Sequence, residues 1–307
     1  MHPAASIIVF TTFSGMGLGL MAWLGLGFGP SGIGFGWTAA IISFGLTVVG
    51  LFASVFHLRR PDRAWRALSQ WRSSWLSREG VLAIATLGLF GLYVLLWLFF
   101  DGRVPWLGVP AAMLSVATVI ATSMIYAQIR AVPHWATWLT PAAYLGFSAA
   151  GGALLLAALS AFFDGGQDIG MAPVALVAIV IAWVLKLLWW QRATKATLAS
   201  AGASQESATG LGGLGRVLLF EAPHTGTNYL LKEMVFEVGR KRARALRRVA
   251  LIFGALAPLI LVALGILAGS GATVFALAAL SFLLGLLAER WLFFAEARHA
   301  VAAYYGK

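Results

Sequence analysis

The chain has 307 residues, of which 60% are hydrophobic and only 11% are charged. Soluble domains carry roughly 25% charged residues, so one water-exposed globule cannot hide this much apolar surface. Net charge is +11, and there is no cysteine, which excludes disulfides, thiolate zinc sites and iron–sulfur ligation within the chain.

Windows long enough to cross a bilayer as helices recur along the chain. They predict spans at Ile7–Leu26, Trp37–Phe56, Val81–Phe100, Trp106–Gln128, Trp138–Phe162, Ala172–Trp190, Val249–Ala268 and Ala272–Phe294. The first span follows Met1-His2-Pro3 directly. With no basic n-region before it, it reads as a retained helix. The alternating pattern of a membrane barrel is absent. The predicted fold is an all-α integral membrane protein, a single transmembrane domain over residues 1–307 with about eight helices. Trp37, Trp106, Trp135, Trp138, Trp189, Trp190 and Trp291 fall near span ends, where the bilayer interface favours indole rings.

The loops set the expected orientation. Arg59, Arg60, Arg63, Arg66, Arg72 and Arg78 lie between spans two and three, Arg130 between four and five, and ten Lys and Arg residues between six and seven. The other loops hold Arg103 with Asp101, Asp164 and Asp168. This bias places both termini in the cytoplasm. It also assigns the positive charge to topology and lipid headgroups, with no nucleic-acid partner. The cytoplasmic loop 191–248 divides into a Gly/Ser/Ala-rich linker at Ser200–Gly215 and an amphipathic helix at Asn228–Arg248. Its basic end is a headgroup anchor or a docking surface for a soluble subunit.

The densest polar segment runs from His57 to Gly80. Trp65, Leu68, Trp71, Trp75 and Leu76 recur at helical spacing, so this stretch can lie in the interface plane with rings down and arginines up. His57 ends one span and Glu79 begins the next, at one membrane depth. A quinone needs donors for its carbonyl oxygens, proton-exchanging groups and apolar walls. His57 and Glu79 are suited to the proton work, Arg63 and Arg78 to setting the local field, and Trp71 and Trp75 to walling the pocket. The competing reading is a headgroup-binding loop in which Glu79 pairs with a neighbouring arginine.

Glu289 and Arg290 lie inside span eight, where ionisable side chains are costly. An ion pair with another helix is the expectation. Lys186, near the end of span six, reads as a snorkelling residue. Thr11, Thr12 and Ser14 among Gly15, Gly17 and Gly19 imply close packing of span one. None of the five histidines is deep in a span, so haem is not expected, and no metal-ligating motif appears. Any redox cofactor belongs to a partner.

Met1-His-Pro with Phe10-Thr-Thr-Phe-Ser-Gly15, the His57-Leu-Arg-Arg-Pro-Asp-Arg-Ala-Trp segment, Ser73-Ser-Trp-Leu-Ser-Arg-Glu-Gly80 and Ser123-Met-Ile-Tyr-Ala127 resemble the DmsC family. Its members are the membrane-anchor subunits of dimethyl sulfoxide reductase-type molybdoenzymes. The resemblance spans essentially the whole chain. It implies a bacterial inner-membrane, multi-pass, non-catalytic subunit that exchanges electrons with ubiquinone or menaquinone. The implied partners are an iron–sulfur subunit and a molybdopterin catalytic subunit. It ties the residues matching His57 and Glu79 to quinol binding. The long linker after Gln191 more closely resembles the anchors of sulfite dehydrogenases in the same family. Two rival readings are a purely structural anchor and a secondary transporter. A transporter predicts polar, broken helices at mid-membrane, where this chain is almost wholly apolar.

Overall fold

The architecture comes from a computed structural model. It describes residues 4–56, 60–100, 102–164, 170–197, 202, 204–218, 220–221, 238–269 and 271–305. Among the described residues, eight helices are long and apolar enough to cross a membrane. They are α1 (Ala5–Gly25), α2 (Ile33–Val55), α3 (Trp75–Phe99), α4 (Pro105–Ala127), α5 (Leu139–Phe163), α6 (Met171–Lys195), α7 and α8 (Ala272–Ala295). α7 is built of Val238–Leu251, one π-helical turn at Ile252–Leu256, and Ala257–Ala268. The chain is a multi-pass helical membrane protein, as its composition predicts.

α1 is the hub, packed against α2, α4, α5 and α8. Its glycines explain this. A Cβ at Gly17 would strike Thr47 and Ser43 of α2, one at Gly19 would strike Ser148 of α5, and one at Gly25 would strike Gly108 of α4. Lipid tails are as apolar as leucine, so helices in a bilayer adhere by such close backbone approach and by interhelical hydrogen bonds. Ser148 supplies one of these, donating to the carbonyl of Gly15 at 2.6 Å.

The α3–α4 seam follows a heptad-like spacing. Glu79, Ala83, Thr86, Phe90, Tyr93 and Trp97 are all buried on α3. Opposite them lie Gly108, Ala111, Ser115, Thr118, Thr122 and Tyr126 on α4, also buried. Alternating steps of four and three keep one face turned to the partner. Thr86 and Thr118 hydrogen-bond across the seam at 2.9 Å.

The π turn in α7 has a local cause. Pro258 lacks an N–H for the carbonyl four residues back, and its ring crowds that carbonyl. The carbonyl is that of Gly254, which instead accepts from Trp183 Nε1 at 2.6 Å. Ser281 donates to the neighbouring Phe253 carbonyl at 2.8 Å. Backbone groups freed inside a membrane must find such partners.

Two elements begin earlier than their hydropathy. α3 starts at Trp75 and α7 already runs through the basic segment at Val238. Within the predicted linker a short helix, Gln205–Thr209, is held by a reciprocal Ser204–Ser207 capping box and ends at Gly210 with φ +70°. The predicted helix before Val238 falls on residues 228–237, outside the described residues. Trp37, Trp106 and Trp138 are exposed at helix ends as an interfacial belt requires, but Trp135 and Trp189 are buried. Their indoles donate to the Phe293 carbonyl at 2.9 Å and Thr140 Oγ1 at 3.1 Å, so they are core residues.

Because the helices alternate, the starts of α1, α3, α5 and α7 share one end of the bundle with the finishes of α2, α4, α6 and α8. This is the basic end. Arg103 lies at the other end, where its guanidinium donates to the carbonyls of Gly27, Gly29 and Pro30 and covers the ring of Trp97.

Candidate functional site

The described part of the segment between α2 and α3 packs against α3 at the basic end. Pro61–Gln70 is a 3-10 helix with no buried residue. Its outer charges serve one another: Arg60 bonds Asp62 in bidentate fashion at 3.1 Å, and Arg63 lies 3.8 Å from the same carboxylate. Ser74 caps α3 by accepting from the Ser77 N–H, at 3.5 Å. The Ser77 hydroxyl donates to the Ala67 carbonyl, and Leu68 rests on Gly80. Arg78 donates to the carbonyls of Trp71 and Arg72, at 3.0 and 2.7 Å, with its guanidinium 4.4 Å from the centre of the Trp75 ring.

Of the residues singled out from sequence, Trp71, Trp75 and Arg78 are therefore brought together on the rim. Arg63 points to Asp62 on the exposed 3-10 helix. Glu79, one residue further along α3, turns into the α4 seam. His57 lies outside the described residues.

Glu79 is 5% exposed. Its carboxylate accepts from Thr122 Oγ1 at 2.5 Å, and the same hydroxyl lies 3.0 Å from the Thr118 carbonyl. A hydroxyl carries one proton and can also accept. When Glu79 is ionised, Thr122 donates to it. When Glu79 is protonated, it donates to Thr122, which turns its own proton to Thr118. Both protonation states of a buried acid are thus satisfied without moving the backbone. Among the described residues no cation lies within ion-pair distance of Glu79.

A second buried polar group lies at the same end. Glu289 of α8 is fully buried and sits 2.5 Å from Lys186 Nζ of α6 and 3.4 Å from Arg290. The ion pair expected of Glu289 with another helix is present. Lys186 is not a snorkelling residue: it is 1% exposed, turned inward, with its ammonium 3.9 Å from the centre of the Trp189 ring. The carboxylate on α8 and the aromatic face outweigh the pull of the interface. Arg290 covers Tyr144 in the same way, at 3.8 Å. Ionic contacts and aromatic faces together replace the lost hydration of these cations.

A chamber of about 10 Å³ separates the two groups, lined by Thr11, Ser14, Thr122, Tyr144, Ser148 and Arg290. That is room for about one water molecule. Arg290, one of its lining residues, has its Nε buried without a hydrogen-bond partner among the described residues.

Sequence reasoning missed Thr122, Tyr144 and the chamber. A signal for Thr122 existed: Ser115, Thr118 and Thr122 recur at helical spacing on α4, and Glu79 and Thr86 are seven apart on α3. Two polar stripes in apolar spans predict a shared seam. Nothing local marked Tyr144.

The fold and site define a multi-helix membrane subunit with a buried carboxylate at its basic end. The sequence profile of the DMSO reductase anchor subunit (DmsC) family matches residues 3–213. A sulfite dehydrogenase subunit from Allochromatium vinosum is 33% identical over 99% of both chains. The chain belongs to the DmsC anchor-subunit family. No solved structure matches it.

Proposed function

We propose that this chain is the quinone-reactive anchor of a molybdopterin/iron–sulfur oxidoreductase in a bacterial inner membrane. On this reading its basic end and both termini face the cytoplasm, where an iron–sulfur subunit docks and a molybdopterin subunit acts beyond it. The similarity to a sulfite dehydrogenase subunit supports that subtype over a dimethyl sulfoxide reductase.

The observation that carries the proposal is the Glu79–Thr122 contact. Quinone reduction or quinol oxidation moves two protons with two electrons. The electrons belong to the partner's clusters, because this chain has no cysteine to hold one. The proton work falls to residues here. Glu79 holds or yields a proton at Oε1, and Thr122 stabilises either state. The apolar seam around them excludes bulk water. Arg290 and Tyr144 line the same small space, and their Nε and hydroxyl, buried without a partner among the described residues, are suited to donate towards a quinone oxygen through one water. His57 is the proposed second proton carrier, with Arg63 and Arg78 contributing positive field and Trp71 and Trp75 apolar surface at the rim.

Glu79→Gln keeps the shape and a hydrogen bond to Thr122 but cannot release a proton. Quinone-coupled turnover of the purified complex is expected to fall by ~10²–10⁴-fold, with the three subunits still co-purifying. Wild-type quinone turnover in this variant would reduce the chain to a structural anchor.

A further inference from the structure

α6 and α7 diverge towards the basic end. The Ile252–Leu256 turn and Ala257–Ala268 of α7 pack on α6, whereas Val238–Leu251 keeps α8 as its main neighbour. A crevice of about 290 Å³ lies in this fork. Ala193 and Thr194 line it from α6, Ala243 and Arg247 from α7, and Glu296 and Arg298 from just beyond α8. Its frame is fixed. Arg192 donates to the Pro133 and Ala136 carbonyls at 3.0 and 3.1 Å, tying the α4–α5 connection, whose His134 also lines the crevice, to α6. The Ala300 N–H donates to the Ala131 carbonyl at 2.7 Å and ties the residues after α8 to the same connection.

The charges inside do not balance. Arg247 and Arg298 stand against one carboxylate, Glu296, which accepts from Arg247 Nε at 2.7 Å. The Arg247 guanidinium also lies 5.3 Å from the centre of the Trp190 ring. Its terminal nitrogens make no further hydrogen bond among the described residues, and exposed Arg298 makes none there at all. A guanidinium steadied at Nε and over a ring keeps its outer fork free and oriented. Such a fork matches two oxygens of a phosphate.

We propose that this crevice is a phosphate-group site, taking the phosphodiester of an anionic membrane lipid or a free phosphate between Arg247 and Arg298. The fork favours the lipid. Leu187 and Leu188 on α6, and Val249 and Ile252 on α7, are exposed within two turns deeper along the same helices. Acyl chains can lie along them while the phosphate sits in the crevice, as basic pockets between membrane helices hold lipid headgroups. The volume exceeds what a lone phosphate needs, and Ala193 and Ala243 give it an apolar lining suited to glycerol carbons.

Native mass spectrometry tests this on the full-length chain, alone and in its complex, titrated in detergent with phosphatidylglycerol, cardiolipin or phosphatidylcholine. Wild type is expected to prefer the anionic lipids by about tenfold over phosphatidylcholine. Arg298→Gln removes no contact of the fold and should weaken the tightest-bound anionic lipid by about tenfold, and Arg247→Gln combined with it by more. Arg244→Gln, an exposed arginine of α7 outside the crevice, should change it by less than about twofold. Excess inorganic phosphate separates the two sources. If it displaces the lipid where chloride at the same ionic strength does not, the site also takes a free anion; if it does not, the site is one for lipid alone. Equal anionic-lipid affinity in wild type and the double variant, both eluting alike on size exclusion, would overturn the site. So would an equal loss in Arg244→Gln, or no preference over phosphatidylcholine. A lipid bound to the chain alone but missing from the complex would overturn it as well, making the crevice a protein contact.

Discussion

Glu79 and Glu289 are buried at one end of one bundle, yet their surroundings differ. Glu289 is flanked by Lys186 and Arg290, each covering an aromatic ring. Removing this carboxylate would strand two buried cations. Glu79 has a hydroxyl that serves either of its protonation states. Burial alone does not mark a functional acid in a membrane. What separates the two is the company each keeps: two cations beside Glu289, one hydroxyl beside Glu79.

The comparison breaks first at Lys186. Lys186→Met leaves Glu289 with a single, longer contact to Arg290, and losing one partner of a buried pair costs about 3–5 kcal/mol. The expected result is a large drop in the fraction of detergent-solubilised protein that survives a heat ramp. A stability equal to wild type would show that the α6–α8 pair is dispensable. Thr122→Val is the next largest effect. It removes the donor to Glu79 and leaves a buried carboxylate oxygen unsatisfied, at a cost of about 1–3 kcal/mol. Quinone-coupled turnover should fall while stability changes less than in Lys186→Met. The reverse ranking would make Thr122 a packing residue. Arg247→Ala is the smallest. Arg247 bonds Glu296 at 2.7 Å, but its side chain is 38% exposed. Water and salt screen such a pair, so the change should stay below about 1 kcal/mol and shrink further at high salt.

The eight spans were legible because lipid imposes one rule on every backbone group, and hydropathy reports it directly. Starts were less legible where polar residues open a helix. Trp75 to Gly80 contains serine, arginine and glutamate, so hydropathy places the boundary near Val81, whereas the Ser74 cap sets it at Trp75. That shift matters, because it moves Glu79 from a loop edge into the second turn of α3 and turns it into the seam. Lys186 was misread for a different reason. Its position near a helix end is visible in the sequence, but its partner Glu289 lies on α8, far along the chain. Pairing across such a distance is decided by which helix faces meet, and no local pattern encodes that. Glu79 was singled out by type of residue and by resemblance, whereas its hydrogen-bond partner Thr122 was legible only as a stripe on another helix.

The α3–α4 seam also limits how this region can change in length. Each added residue in an α-helix turns everything beyond it by about 100°. A single insertion between Ala83 and Thr86 would therefore leave either Glu79 or the Thr86–Trp97 face aimed at lipid. Three- or four-residue insertions nearly restore the phase, and seven do so better still. Loops at the opposite end can lengthen without touching this register. Among homologous chains, gaps should collect in those loops, and the spacing from Glu79 to Trp97 should stay fixed.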